Sequence, residues 1–211
     1  EGPLPFRAGS LFGYASRDGR LLHAGRTPFG VALAAAGYVS YSRLGRDWVL
    51  RSPTGERVFS FEGRGYPLLG PSRAAGSGVL PRVFVAKTDL TGLQEVDGSG
   101  ETLWARDFPS MITSVSIGRD VVLAGLLNGS LELVNASGAA VFSASPAGSR
   151  VPVVLAAAAA ADGSHLACVA GIDPQLLVVY ARGAEGFAET ARIALPSRFR
   201  REVRLAFSPD A

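Results

Sequence analysis

An all-β fold is what this 211-residue sequence predicts, and three observations predict it. Glycine-closed hairpin turns recur at Gly19, Gly55, Gly100, Gly138 and Gly186, in steps of 36, 45, 38 and 48 residues. The side chains around the first four recur in type: Ser16, Ser52, Asp97 and Asn135 stand three positions before the glycine, and His23, Phe59, Trp104 and Phe142 four positions after it. Finally, 26 glycines and 13 prolines suit a chain that must turn every few residues. A period near that of one four-stranded blade points to a β-propeller. The expected architecture is four full blades of antiparallel strands plus a partial or composite fifth, in a single domain over residues 1–211.

Each recurring position has a physical reason. A short Ser, Asp or Asn side chain accepts hydrogen bonds from backbone N–H groups just ahead and opens the turn. The glycine then takes the positive φ that closes the hairpin. The large flat residue that follows is a packing anchor between blades, so Phe59, Trp104 and Phe142 are expected to be buried. The pattern decays at Glu185-Gly186, where Thr190 holds the anchor position.

Taken in order, the first hairpin is Leu11–Tyr14 and Arg20–Ala24. The next unit offers Val31–Ala36, Tyr38–Ser42, Trp48–Arg51 and Arg57–Phe61, with Gly37 and Gly45 as the intervening turns. The following one offers Leu68–Leu69, a strand starting at Arg82 because Pro81 lacks a ladder donor, then Gly92–Val96 and Thr102–Asp107. Ile112–Ile117, Val121–Leu127, Leu131–Asn135 and Ala140–Ala144 follow, the middle pair joined by Asn128-Gly129, the strongest short hairpin signal. The last full unit is Val153–Ala161, Leu166–Gly171, Leu176–Ala181 and Thr190–Leu195. Its run Ala156–Ala161 favours helix by propensity, but Val153–Leu155 before it and Asp162-Gly163 after it leave no room for one. Small residues suit a strand crowded against a propeller axis. Val203–Phe207 reads as one more inner strand, completing the N-terminal hairpin or opening a further blade of a larger propeller.

Composition bounds the function. Hydrophobic residues at 47% and charged residues at 18% exclude a disordered chain. Of 21 basic residues only Lys87 is a lysine, which reads as coding bias, and a net charge of +3 with interspersed acids gives nucleic-acid binding no support. The longest uncharged apolar stretch, residues 151–161, is too short to span a bilayer. The chain opens on Glu1 without a basic segment and apolar run after it, leaving a removed leader or a shortened chain as the two readings.

Two segments carry a resemblance. Val96-Asp97 with Ser99–Trp104 (SGETLW) resembles the hairpin of PQQ-like propeller repeats, and Val203–Asp210 (VRLAFSPD) resembles the opening strand and turn of WD40-like repeats. The PQQ-like resemblance names a repeat and not a cofactor. Quinoprotein enzymes of that type use a disulfide and a metal beside an acidic base, whereas this chain has one cysteine, Cys168, and no carboxylate cluster suited to calcium. No cofactor and no metal are expected.

Catalytic constellations are weak. The two histidines, His23 and His165, fall in different units, one at an anchor position and one after a turn. Asp18, Asp97 and Asp162 are explained by their turns, and Cys168 sits in the apolar run His165–Ala170 as a buried thiol would. The one notable charge run is Arg198, Arg200, Arg201 and Arg204, on the connection between the last full unit and the next strand. A solvated loop is the plainer reading; a partner-docking patch is the functional one, because guanidinium forks pair with carboxylates and phosphates. The sequence therefore favours a non-enzymatic interaction or scaffold module with a protein partner, in the bacterial periplasm or cell envelope, the cytoplasm remaining open. The alternative is a small-ligand or glycan binder, or a hydrolase or lyase, using a central pocket.

Overall fold

A computed structural model describes residues 2–27, 29–73, 80–146, 148–196 and 203–208. Every regular element among them is a β-strand. The chain divides into two compact units, residues 1–107 and 108–211.

The first unit holds three sheets, each with its strands in sequence order. One is three-stranded: β1 (Leu4–Ala8), β2 (Leu11–Ala15) and β3 (Leu21–Arg26). The next comprises β4 (Gly30–Ala34), β5 (Gly37–Tyr41), β6 (Arg46–Arg51) and β7 (Arg57–Arg64). The third comprises β8 (Tyr66–Gly70), β9 (Arg82–Ala86), β10 (Gly92–Val96) and β11 (Thr102–Asp107). The second unit holds two four-stranded sheets: β12 (Ile112–Ile117), β13 (Val122–Leu126), β14 (Leu131–Val134) and β15 (Ala140–Ala144), then β16 (Val154–Ala159), β17 (His165–Ala170), β18 (Gln175–Gly183) and β19 (Gly186–Leu195). All pairings are antiparallel, as a blade requires.

The recurring turns have the expected chemistry. Asp97 Oδ1 accepts from the N–H groups of Ser99 at 2.8 Å and Glu101 at 3.0 Å, and Asn135 Oδ1 from those of Ser137 and Ala139, both at 3.0 Å. The hydroxyls of Ser16 and Ser52 each accept an N–H four residues on at 3.1 Å. Gly100 at φ +90° and Gly138 at φ +83° donate back to Asp97 and Asn135 carbonyls, a conformation that a side chain would strain. A β-bulge sits at the same place in all four hairpins, between Tyr14/Ala15, Leu50/Arg51, Glu95/Val96 and Leu133/Val134. It brings His23, Phe59, Trp104 and Phe142 opposite Tyr14, Leu50, Glu95 and Leu133. The sequence repeat is thus the trace of a repeated bulge that re-aims one side chain. At Gly186 the pattern differs because Gly183 and Gly186 pair directly, letting β18 and β19 run 9 and 10 residues.

The alanine run is strand, as its flanks predict. Ser114 Oγ of β12 accepts from Ala157 N–H at 2.9 Å and Ser116 Oγ from Ala159 N–H at 3.0 Å, while Thr113 Oγ1 donates to Val154 O at 2.5 Å. These bonds stitch the first strands of the two sheets, and only small residues permit that approach. A Cβ on Gly125 of β13 would overlap Val154 Cγ1 and sit 2.9 Å from Val154 Cβ, in a fully buried position. Gly125→Ala is therefore expected to cost about 1–3 kcal/mol by overpacking, read as a drop in the melting midpoint.

Three details depart from the sequence reading. Strand β1, Leu4–Ala8, supplies a third strand to the N-terminal sheet through a sharp turn at Gly9, whose short exposed sequence carries no alternation to announce it. Gly37 is not the turn: Ala35 and Ala36 turn, and Gly37 opens β5 because a Cβ there would come within 2.6 Å of Arg51 O. Residues 203–208 form no strand, since none of the described residues offers them a ladder.

Candidate functional site

The residues whose chemistry stood out in the sequence are largely committed to the scaffold. His23, in β3, is half-buried, stacked on Tyr38 at 5.2 Å between ring centroids, with Nε2 2.9 Å from the Tyr38 hydroxyl. His165 is exposed at the start of β17, with Nδ1 2.8 Å from Ser164 Oγ. The turn hydrogen bonds, from Ser99 to Asp97 and from Ser164 to Asp162, hold both carboxyls below their ordinary range. Asp18 bonds the Ser16 hydroxyl within its own turn. Cys168 is fully buried, and burial pushes its thiol up to about 12, so it is no nucleophile at neutral pH. Among the described residues no three His, Cys, Asp or Glu side chains converge on a metal position.

The anchors lie as follows. Phe59 is buried in a cluster with Trp48 and Leu50 of its own sheet and Val83, Val85 and Val96 of the next. Phe142 is half-buried, edge-on to Tyr180 at 5.2 Å and beside Phe187 at 5.1 Å, both from the neighbouring sheet. Trp104 is buried, edge-on to Phe84 at 5.9 Å.

Trp104 also belongs to a buried polar network that the sequence does not reveal. Glu95, only 2% exposed, accepts from Arg82 Nε and Nη2, both at 2.9 Å, from Trp104 Nε1 at 2.7 Å, and from Arg73 Nη2 at 3.1 Å. Arg82 in turn lies over the Phe84 ring at 4.7 Å. Burial alone raises the Glu95 carboxyl, but the hydrogen bonds and charge of Arg82, with help from Trp104 and Arg73, outweigh it and hold the carboxyl below its ordinary value. A second internal clamp is the Tyr14 hydroxyl, 2.6 Å from Gly37 O and 2.8 Å from Ala34 O, which fastens the first sheet to the second. Burial, opposed by the Ala34 bond, pushes that phenol upward.

Exposed charged and apolar side chains lie on strands and connections alike. Arg204 is exposed; Arg198, Arg200 and Arg201 lie outside the described residues. At one end of the β4–β7 sheet stand Phe29, Arg43, Leu44, Arg46 and Arg64, all exposed. That end is held together by Gly65 N–H donating to Gly45 O at 2.9 Å and Gly63 N–H to Asp47 Oδ1 at 3.0 Å.

A family model described as beta-propeller protein matches residues 1–202, nearly the whole chain. The chain belongs to this β-propeller family. The five sheets are accordingly its blades. The propeller is 22% identical over 175 residues to an uncharacterized protein of Treponema pallidum (strain Nichols), a match covering 83% of this chain and 44% of that one. It thus spans less than half the length of that curated relative. Among solved structures it is similar to Kluyvelomyces marxianus Hsv2, with a TM-score of 0.65 at 14% identity over 98% of this chain and 70% of that one. A chain of the Mitotic Checkpoint Complex gives 0.66 at 16%, covering 95% and 63%. BamB from Moraxella catarrhalis gives 0.56 at 16%, covering 92% and 64%. Propellers of both the WD40-like and the PQQ-like types are therefore structural neighbours, in line with the two resembling segments. At these identities the likeness is one of fold. No helix among the described residues is long and apolar enough to cross a membrane.

Proposed function

We propose that this propeller is a non-enzymatic protein–protein interaction or scaffold module, a single domain over residues 1–211 whose rim connections dock a protein partner. The observation that carries the reading is the division of polar chemistry. Turn carboxylates, Tyr14, His23 and the Glu95 network are bonded into the scaffold, whereas one end of the β4–β7 sheet presents the exposed arginines Arg43, Arg46 and Arg64 beside the exposed apolar Phe29 and Leu44. Such a scaffold presents surfaces rather than a reacting group, although fold alone does not assign function. The fold likeness to a chain of the Mitotic Checkpoint Complex, a protein assembly by its name, supports the same reading. The likeness to BamB and the PQQ-like hairpin at Ser99–Trp104 favour a place in a bacterial cell envelope.

Arg198, Arg200, Arg201 and Arg204 remain the sequence's own choice of contact residues. Affinity capture with the purified chain, followed by the Arg200→Glu/Arg201→Glu double variant, tests both levels. Loss of at least ten-fold in binding to the captured protein, with an unchanged far-ultraviolet circular dichroism spectrum, is the expected result. Undiminished binding would remove the arginine run from the interface, and capture of no protein by the native chain would remove the reading itself.

A further inference from the structure

We infer that the end of the β4–β7 sheet carrying Arg43, Leu44, Arg46 and Arg64 is a docking site for an acidic peptide segment that contains an apolar residue. The inference rests on the interaction-module reading and names the chemistry of one partner.

The first ground is a like-charge arrangement that folding alone does not favour. Arg46 of β6 and Arg64 of β7 are register partners, so two guanidinium side chains are placed directly opposite each other across an antiparallel pair. Like charges so placed are destabilising. Arg43 adds a third charge from the β5–β6 connection, which the Gly65-to-Gly45 hydrogen bond pins against the connection leaving Arg64. Both glycines are required there, because a Cβ on Gly45 would come within 2.7 Å of Gly65 O and one on Gly65 within 2.7 Å of Ala86 O. The close approach of the two connections is therefore built into the backbone.

The second ground is the balance of carboxylates. Two acids belong to this end, Asp47 and Glu62. Asp47 is held at φ +43° inside the β6–β7 bulge with Oδ1 accepting the Gly63 N–H, so its carboxylate closes the bulge. Three exposed arginines thus face two carboxylates, one of them tied into the bulge, and a ligand bearing carboxylates supplies the missing charge. Arginine forks suit carboxylates in two-pronged pairs.

The third ground is the apolar component. Leu44 is 68% exposed at the tip of the β5–β6 connection, and Phe29, 54% exposed, precedes β4 at the same end. At the same end Tyr41 lies against Gly30 and meets Tyr66 edge-on at 6.1 Å, adding two half-buried aromatic rings. A surface that combines guanidinium and apolar groups over one sheet end matches a peptide that combines acid and apolar side chains. A phosphodiester strand offers the charge without the apolar part, and a bilayer needs one contiguous apolar face rather than two side chains on separate connections.

The test uses the full chain and a fluorescein-labelled Glu-Glu-Leu repeat peptide of twelve residues, read by fluorescence anisotropy, with Gln-Gln-Leu peptide, oligothymidylate and phosphatidylserine vesicles as parallel probes. Binding of the acidic peptide is expected to weaken at least ten-fold in Arg43→Glu/Arg46→Glu/Arg64→Glu and several-fold in Leu44→Asp. It should be unchanged in Arg20→Glu, which lies by the Gly19 turn. Arg46→Glu alone converts the cross-strand repulsion into an attraction, so it should bind the acidic peptide several-fold more weakly while its melting midpoint is held or raised, which separates lost binding from lost folding. Equal binding by the triple variant, or tighter binding of the oligothymidylate or the vesicles than of the acidic peptide, would overturn the inference. Should native chain capture a protein that the triple variant captures equally well, the site fails while the interaction-module reading stands; should native chain capture none, that reading itself fails.

Discussion

Glu95→Ala is expected to lower the stability of the chain by about 3–5 kcal/mol, the range for removing one partner of a buried ion pair. Arg82, 6% exposed, would lose the carboxylate that takes both its Nε and its Nη2, and Trp104 Nε1 would lose its acceptor. Arg73 matters less, because its side chain is 37% exposed and water can replace the lost contact. Arg82→Met combined with Glu95→Leu should be milder than either change alone, since two apolar side chains leave no charge stranded. Urea unfolding followed by tryptophan fluorescence reads the native protein and all four variants. A double variant as unstable as Glu95→Ala would show that shape, not charge pairing, sets the cost.

The same network sets an acid dependence. Because the folded Glu95 carboxyl lies below its ordinary value of 4.5, the unfolded chain binds the extra proton first as pH falls. The stabilisation is complete above about pH 4.5 and is lost as pH drops through the folded value beneath it. The stability gap between the native protein and Glu95→Gln should therefore narrow on acidification, and a gap that stayed constant down to pH 3 would contradict the assignment.

Trp104→Ala is the second large effect, expected to cost about 3–5 kcal/mol as a buried aromatic truncation. The informative comparison is Trp104→Phe with Trp48→Phe. Trp104 Nε1 donates to Glu95 at 2.7 Å, so phenylalanine there removes a charge-assisted hydrogen bond as well as volume. Trp48, stacked on Phe61 at 4.7 Å, has a buried Nε1 without a hydrogen-bond partner, so phenylalanine there removes a polar atom that gains nothing from burial. Thermal melts should show Trp104→Phe as clearly the more damaging of the two. The reverse order would mean that ring volume outweighs the polar contact at both sites.

Much of the blade architecture was legible because its causes are local. A turn such as Asp97–Gly100 needs only its own side chain and a glycine at positive φ, so its chemistry is visible in four consecutive residues. Strands β10, β11, β12 and β15 lie where the patterning of apolar and turn residues puts them. The alanine run could be read as strand because a helix had no room between its flanks. The polar network and the rim were not legible in this way. Arg82 and Glu95 are 13 residues apart on different strands, and nothing in either segment says that their side chains turn to the same buried face. Likewise Arg46 and Arg64 become neighbours only through the bulge in their ladder, and Leu44 joins them only through the Gly45–Gly65 bond.

What the sequence determined by itself was the repeating blade: where the chain turns, which residues follow each turn, and that β-strands lie between. Tertiary structure alone decided which polar residues are buried together and which charges are left facing solvent. The reason is the range of the forces involved. Turn geometry is set by hydrogen bonds among residues up to four apart, whereas burial of an ion pair, or juxtaposition of like charges, exists only once strands distant in sequence are laid side by side.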